Sequence, residues 1–380
     1  MKTRIAVLGA GLVGGPVALD LAADARFDVT VADRDAAALA ALAARGPVRT
    51  VAGDLADPAA VAALCADADL VLEAMPGALG FATLRAVIES GTDVVSISFF
   101  AEDPFDLDDL ARACGVTALV DCGVFPGMGS ALVMDAVTHR LDRAASVSVL
   151  VGGLPETPAP PLYYRSVFSP ADVIEEYVRP ARHLEHGELV TRPALSDVEP
   201  VVFEGVGDLE CFSTDGLRTL LRTIPCPNIR EKTLRLVGTA AQMRLLRDLG
   251  LFDETPLAID GREVPARDVA LALLGPLWKM PAGEGDLTAM RIEIAGELDG
   301  APHTVRWELL DRWDHDAGVL SMARTTGYTA TAVVRMVADG TYAHAGISPP
   351  EYLGREQAHV DRLLRELAER GVVYREVGEA

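Results

Sequence analysis

Positive charge is in short supply in this chain. Lys and Arg number 34 against 56 Asp and Glu, a formal net charge of −22. A surface that binds duplex phosphates needs clustered Lys and Arg, so the balance argues against a nucleic-acid partner, although a local basic pocket for a small anion stays open. Aromatic residues make up only 5% of the chain while half of it is hydrophobic, so the cores must be aliphatic and Ala-rich. The five cysteines (Cys65, Cys114, Cys122, Cys211 and Cys226) are odd in number, and no two have CxxC spacing. A disulfide framework and a cysteine zinc site both fall away, and a reducing, cytoplasmic setting is expected. The seven histidines are dispersed. His183 and His186 flank Glu185 but lack further ligands at zinc spacing, so they read as a solvated helix or loop face and no metal is expected.

Long apolar runs are missing too. Behind Met1-Lys2-Thr3-Arg4 an apolar run reaches Leu21 in the manner of a leader, but glycines interrupt it at nucleotide-loop spacing and a nucleotide fold continues directly after it. No other stretch is long and uninterrupted enough to span a bilayer, so no membrane partner is expected.

What is there is an alternation. A chain of 380 residues exceeds one compact core, and two domains are expected. Runs at 4–8, 29–32, 70–72, 94–97 and 116–120 read as strands, and the segments 12–23, 36–44, 58–66, 80–90 and 107–114 between them read as helices. Asp57 then Pro58 makes a cap followed by proline at the first helical position. Strand–helix repetition of this kind predicts an α/β fold, a Rossmann-type doubly wound parallel sheet covered on both faces. The pattern changes after residue 124. Four prolines within 154–161 mark an extended loop. Residues 171–177 and 234–249 read as helices, 201–203 as a strand, and 290–298 with 305–311 as an antiparallel pair. This predicts a dinucleotide-binding domain over 1–123 and an α+β substrate and dimerisation domain over 124–329. C-terminal helices over 330–380 are expected to pack back on the first domain.

Gly9-Ala10-Gly11-Leu12-Val13-Gly14 has GxGxxG spacing, follows a strand and opens a helix. Glycines there let the backbone turn tightly against a pyrophosphate, whose charge the free N–H groups and helix dipole favour. Strand two ends in Asp33, 19 residues after Gly14. A carboxylate at that point accepts from both ribose hydroxyls and repels a 2′-phosphate, so NAD is expected over NADP. Arg34 beside it works the other way, since a guanidinium can stack on adenine or pair with phosphate. Asp54, after the third strand, reads equally as an adenine contact or a turn residue. Ligands of open parallel sheets bind beyond the carboxyl ends of the strands. That selects Glu73, Met75, Pro76, Ser98, Phe99, Asp121 and Cys122 as neighbours of a nicotinamide.

These residues resemble a known family. Met75-Pro76-Gly77-Ala78-Leu79-Gly80-Phe81, Ser96-Ile97-Ser98-Phe99-Phe100 and Val120-Asp121-Cys122-Gly123-Val124-Phe125-Pro126-Gly127-Met128 are similar to stretches of the saccharopine dehydrogenase family, with the lysine 6-dehydrogenase branch nearest. Glu210-Cys211-Phe212-Ser213-Thr214-Asp215-Gly216-Leu217-Arg218, Arg230-Glu231-Lys232-Thr233-Leu234-Arg235 and Ala323-Arg324-Thr325-Thr326-Gly327-Tyr328 extend the likeness through most of the chain. The resemblance implies redox chemistry at a carbon–nitrogen bond of an amino acid with a nicotinamide cofactor, in a homodimer or larger homo-oligomer. Two departures stand out. Phe125 occupies the place of an aspartate that saccharopine reductases carry before Pro-Gly. Leu236 and Thr239 stand where both branches usually carry aromatic or histidine residues, which puts lysine itself in question and admits a related amine.

Amine oxidation needs a base, for which Asp121 is the first candidate and Glu73 the second. Cys122 has no neighbouring histidine and reads as a small buried residue. Arg235, with Thr233 beside it, is expected to bind a substrate carboxylate. Asp215 is expected to hold a substrate ammonium, and Tyr164 to donate into the cleft; the plain alternatives are a turn cap and core packing. Lys279 reads as a solvated lysine before a proton relay. The leading function is oxidative deamination of L-lysine or a close amine. A reductive condensing enzyme that makes a secondary amine and a non-catalytic NAD-binding sensor are the alternatives.

Overall fold

The computed structural model describes residues 2–378. The first stretch of chain alternates strand and helix: β1 (Thr3–Leu8), α1 (Gly14–Ala22), β2 (Phe27–Asp33), α2 (Ala36–Ala43), β3 (Arg49–Ala52), α3 (Pro58–Ala66), β4 (Leu70–Glu73), α4 (Gly77–Glu89), β5 (Asp93–Ser96), α5 (Asp108–Cys114), β6 (Thr117–Leu119) and α6 (Met128–Asp135). Then come β7 (Arg143–Pro155), α7 (Pro170–Val178), β8 (Ala181–Glu185), β9 (Glu188–Arg192), β10 (Glu199–Phe203), β11 (Gly207–Ser213), α8 (Leu220–Thr223), β12 (Ile229–Leu236) and α9 (Thr239–Asp248). The rest is β13 (Pro256–Ile259), β14 (Arg262–Pro265), α10 (Ala266–Trp278), β15 (Asp286–Leu298), β16 (Ala301–Arg312), α11 (Ser321–Ala338), β17 (Gly346–Ser348), α12 (Gln357–Glu369) and β18 (Tyr374–Val377).

The chain divides into two units, Met1–His139 with Met322–Val373, and Arg140–Ser321 with Tyr374–Ala380. Both edges differ from the expected boundaries at 123 and 329. Residues 124–139 stay with the first unit because α6 packs on α12 and on the 3₁₀ turn Pro350–Arg355. The tail leaves it because β18 pairs antiparallel with β16.

In the first unit seven parallel strands run in the order β17-β6-β5-β4-β1-β2-β3. The order reverses between β1 and β4, and beyond their carboxyl ends lies the crevice where such sheets take ligands. The central strands are apolar on both faces, as helices on both sides require. Val7, Leu8, Val71, Leu72, Val94 and Val95 are fully buried. Each such side chain stabilises the fold by roughly 1.5–3 kcal/mol relative to exposure.

In the second unit a nine-stranded sheet has the path β10-β11-β12-β7-β15-β16-β18, with β8 on β12 and β9 on β8. The expected hairpin is β15–β16, paired from Leu287↔Arg312 to Leu298↔Ala301. One sheet face meets an aromatic-rich core that includes Tyr164, Ile174, Tyr177, Phe212, Met243 and Trp278. The segment 234–249 is not one helix. Its first residues finish β12, Gly238 turns at φ +98°, and α9 starts at Thr239. The helix reading failed because a strand end and a helix start follow one another with only Val237 and Gly238 between. His186 is exposed in the turn between β8 and β9, as the loop-face reading expects, but His183 is not. His183 lies on β8 and is buried, and burial lowers its pKa.

Candidate functional site

The glycine turn is built by close packing. Gly9 sits at φ +106°, and a methyl group on Gly14 would lie 2.2 Å from the Gly9 carbonyl oxygen. Gly11 differs: a methyl group there would meet nothing within 4 Å. Helix α1 begins at Gly14, and Val13 at its N-cap supplies no side-chain cap. An uncapped first turn beside an open glycine suits a phosphate, because the N–H groups of Leu12, Val13 and Gly14 point where an anion gains from the helix dipole. The residues present therefore fit a dinucleotide.

Asp33 supports this turn from β2. Ala10 N–H donates to Asp33 Oδ2 at 2.7 Å and Asp35 N–H to Oδ1 at 2.8 Å. The carboxylate expected to take ribose hydroxyls thus already serves two backbone amides, while Arg34 next to it is exposed. Asp54 is a turn residue: Ala56 N–H donates to its Oδ1 at 3.1 Å and its side chain faces solvent.

Beyond β4 and β5 lies a buried polar knot. Glu73 is fully buried and accepts Met75 N–H at 3.1 Å. Ser96 Oγ contacts its Oε2, and Ser98 Oγ lies 2.6 Å from its Oε1. Burial pushes the Glu73 carboxyl up to about 7, against the pull of these hydrogen bonds. Ser98 Oγ is also 2.7 Å from the Met75 carbonyl. Pro76 precedes α4, and Phe99 is half-buried. Asp121 is 1% exposed at φ +54°, a left-handed conformation that Asp tolerates better than most residues. Cys122 N–H donates to Ser96 O at 3.0 Å, which ties this turn to β5. The Cys122 thiol is buried and raised in pKa by burial, Asp121 and Glu351, so it is no nucleophile.

In the second unit Glu231, Thr233 and Arg235 alternate along β12 and share one face. Thr214 Oγ1 lies 2.8 Å from Glu231 Oε2 and 2.8 Å from Thr233 Oγ1. Gly216 N–H also donates to Glu231, at 3.1 Å. Burial pushes Glu231 up to about 8, opposed by these hydrogen bonds and assisted by Glu176 and Asp215. Arg235 is 2% exposed. Its guanidinium pairs with Glu176 on α7, donates to the Leu234 carbonyl at 2.9 Å, and lies 5.1 Å from the Tyr164 ring centre. Burial alone would lower its pKa, but Glu176, Tyr177 and Tyr164 raise it.

Three readings change here. Arg235 is buried and does not stand open for a substrate carboxylate, since Glu176 holds it. Asp215 does not stand open for an ammonium, since Arg182 clamps it through two 2.8 Å hydrogen bonds. Tyr164 packs edge-on against Trp278, with ring centres 5.6 Å apart. Lys279 is exposed. Sequence reasoning missed Glu176 and the buried state of Glu231. The first sits on an ordinary amphipathic helix, and the second in a run that looks like surface charge. Among the described residues no group of three or more His, Cys, Asp or Glu could hold a metal, and no helix is long and apolar enough to cross a membrane.

Comparison with known proteins places the whole chain. Residues 5–119 match the family model described as the saccharopine dehydrogenase NADP binding domain. Residues 123–372 match that of the saccharopine dehydrogenase C-terminal domain. The chain belongs to the saccharopine dehydrogenase family. A relative in this family, the Saccharomyces cerevisiae saccharopine dehydrogenase (NADP(+), L-glutamate-forming), is 23% identical over 420 residues, covering 92% of this chain and 94% of that protein. Carboxyaminopropylagmatine dehydrogenase of a Synechocystis species is 22% identical over 404 residues, covering 98% and 97%. The mitochondrial alpha-aminoadipic semialdehyde synthase of Mus musculus is 28% identical over 197 residues, half of this chain and 21% of that protein. The chain thus spans about a fifth of that relative's length. The apo structure of Saccharomyces cerevisiae saccharopine dehydrogenase (L-Glu forming) has the same fold, with a TM-score of 0.80 at 22% identity over 99% of this chain and all of that one. Within the saccharopine dehydrogenase family the first unit is the NAD(P)-binding domain. The names of the matched domain and of the yeast relative carry NADP, against the NAD preference read from Asp33.

Proposed function

We propose that this protein is a nicotinamide-dependent oxidoreductase acting on a carbon–nitrogen bond of an amino acid or amine. The leading reading is oxidation of L-lysine or a close analogue to an imine that hydrolyses to a semialdehyde. The open, uncapped glycine turn at Gly11 carries the cofactor part of this reading. The family match over 123–372 supports the amino-acid part. When bound, the nicotinamide exchanges hydride with the substrate carbon.

The chain's own residues have the remaining tasks. The backbone at Gly9, Gly11, Leu12, Val13 and Gly14 would hold the pyrophosphate. Exposed Arg34 would pair with the 2′-phosphate of NADP, leaving Asp33 as the brace of the glycine turn. Met75, Pro76 and Cys122 would border the nicotinamide, with Ser98 and Phe99 behind them. Asp121 would take the amine proton on its carboxylate; positioned acids and bases contribute about 10²–10⁴-fold to rate. Arg235 would receive the substrate carboxylate by exchanging it for Glu176, with Thr233 beside it.

A second reading is the reverse chemistry, reduction of an imine formed from an aldehyde and an amine. The relatives that match across nearly their whole length are named as dehydrogenases of saccharopine and of carboxyaminopropylagmatine, not of lysine. One assay separates the two. NAD(P)⁺ reduction is followed with lysine, ornithine and related amines at alkaline pH, and NAD(P)H oxidation with aldehyde–amine mixtures near neutrality. Turnover only in the second direction would select the condensing reductase. Turnover in neither direction would remove the amino-acid reading.

A further inference from the structure

The knot around Glu73 contains more hydrogen-bonding oxygens than its serines can serve. Three oxygen–oxygen contacts meet there: Ser96 Oγ with Glu73 Oε2, Ser98 Oγ with Glu73 Oε1 at 2.6 Å, and Ser98 Oγ with Met75 O at 2.7 Å. Each contact needs one hydrogen between its oxygens. Ser96 and Ser98 supply one each, and the Met75 carbonyl can only accept. The third hydrogen has one remaining source, the carboxyl group itself. If Ser96 donates to Oε2 and Ser98 to Met75 O, then Oε1 must donate to Ser98. With Glu73 ionised, either the Ser98–Met75 or the Ser98–Glu73 contact is left with two oxygens facing each other without a proton.

The knot sits under the glycine turn. Ala74, next to Glu73, donates its N–H to Leu8 O at 2.9 Å. A methyl group on Gly9 would lie 2.6 Å from Ala74 O, and one on Gly14 would lie 3.5 Å from Ala74 Cβ. The turn therefore rests on the backbone that Glu73 and Ser98 hold. Gly80 lets α4 close over the same place, since a methyl group there would lie 2.5 Å from Ser98 Cβ.

We propose that Glu73 is a positioning residue carried as a neutral carboxylic acid, and that its proton, donated from Oε1 to Ser98 Oγ, sets the β4–α4 loop beneath the dinucleotide-binding turn. This rests on the dinucleotide reading of that turn. It replaces the reading of Glu73 as a general base, because a group that must donate within the fold cannot accept a substrate proton. Its surroundings agree. The groups that face it are the Ser96 hydroxyl from β5, the Ser98 hydroxyl from the segment behind it and the Met75 amide, and burial raises its pKa. The titratable groups of the adjoining β6 turn are Asp121 and Cys122, joined to β5 through the Cys122–Ser96 backbone bond. Loss of the proton at alkaline pH would break one contact of the knot and loosen the seat of the glycine turn.

Glu73→Gln supplies a neutral amide that still donates to Ser98 and accepts from Ser96, whereas Glu73→Ala supplies neither. Infrared difference spectra taken across a pH step of the whole protein should contain a protonated-carboxyl C=O band that E73Q removes. Fluorescence titration with NADPH should give E73Q a Kd within about threefold of wild type below neutral pH and E73A at least about tenfold weaker, the scale of one lost hydrogen bond. The wild-type Kd should rise from pH 6.5 to 9 and that of E73Q should stay flat. Absence of the band below neutral pH, or an E73Q as impaired as E73A with both folded by circular dichroism, would overturn the proposal. A wild-type protein that binds no NADPH or NADH would overturn the cofactor reading instead, and the carboxyl band would still decide where the proton sits.

Discussion

Arg235 on β12 and Glu176 on α7 form an ion pair at the wall of the second unit's aromatic core, with the arginine 2% exposed. The pair ties a strand to a helix, and its position makes two outcomes separable. Removing the guanidinium leaves the Glu176 carboxylate, 20% exposed and beside Tyr164 and Tyr177, without its partner. Arg235→Ala should therefore cost about 3 kcal/mol in urea unfolding, the lower end for breaking a buried pair. If the cost is under about 0.5 kcal/mol, the range of ordinary surface substitutions, the pair is not structural.

Neutralising the other partner tests the exchange proposed for substrate. Glu176→Gln releases Arg235 from its internal anion, so a substrate carboxylate has less to displace. KM for a carboxylate-bearing substrate should fall several-fold, while KM for the matching amine without a carboxylate should not move. An equal change for both substrates would remove Arg235 from substrate binding.

Glu231 makes stability depend on pH. Its carboxyl rises from 4.5 to about 8 on folding because it is buried. Between those values the folded chain holds a proton that the unfolded chain has released. Stability from this group is complete below about pH 4.5 and falls as pH rises towards 8, by at most about 1.4 kcal/mol per unit. Denaturant midpoints measured from pH 5 to 8 should decline, and Glu231→Gln should flatten that decline. A wild-type midpoint that rises across this window would contradict the burial argument.

The glycines of the turn should separate folding from ligand binding. Gly14→Ala places a methyl group 2.2 Å from Gly9 O and should lower the melting temperature. Gly11→Ala meets no protein atom within 4 Å and should melt with the wild type, yet weaken dinucleotide binding at least about tenfold, because the open space is where the pyrophosphate approaches. Unchanged binding in Gly11→Ala would move the ligand elsewhere.

Arg34 decides between the two dinucleotides. Arg34→Ala should raise the Kd for NADPH at least about tenfold, as loss of a charge-assisted hydrogen bond does, and leave that for NADH nearly unchanged. Equal effects on both would return the choice to Asp33 and NAD.

The first unit was legible because its signals are local. GxGxxG has to lie between β1 and α1 for the glycines to turn. Burial on both faces makes β4 and β5 continuous apolar runs. The second unit was harder to read. Its strand β7 alternates buried Val147, Val149 and Val151 with Ser146, Ser148 and Leu150, but it runs on through Gly152, Gly153 and Pro155, residue types that read as a loop. The end of β12 merged with α9 because Leu236, Val237 and the apolar side of α9 make one helical-looking pattern.

The family, the parallel sheet and the place of the glycine turn follow from sequence alone, since they depend on the order of residue types along neighbouring positions. The charge state of the site followed only from tertiary structure. Arg235 and Asp215 read as open partners for a substrate until Glu176 and Arg182, each more than 30 residues away in the chain, were found to hold them. Glu73 read as a base until the count of hydrogens around it required it to be an acid. Which partner a buried charge meets is set by long-range packing, and that packing decides what the charge can do.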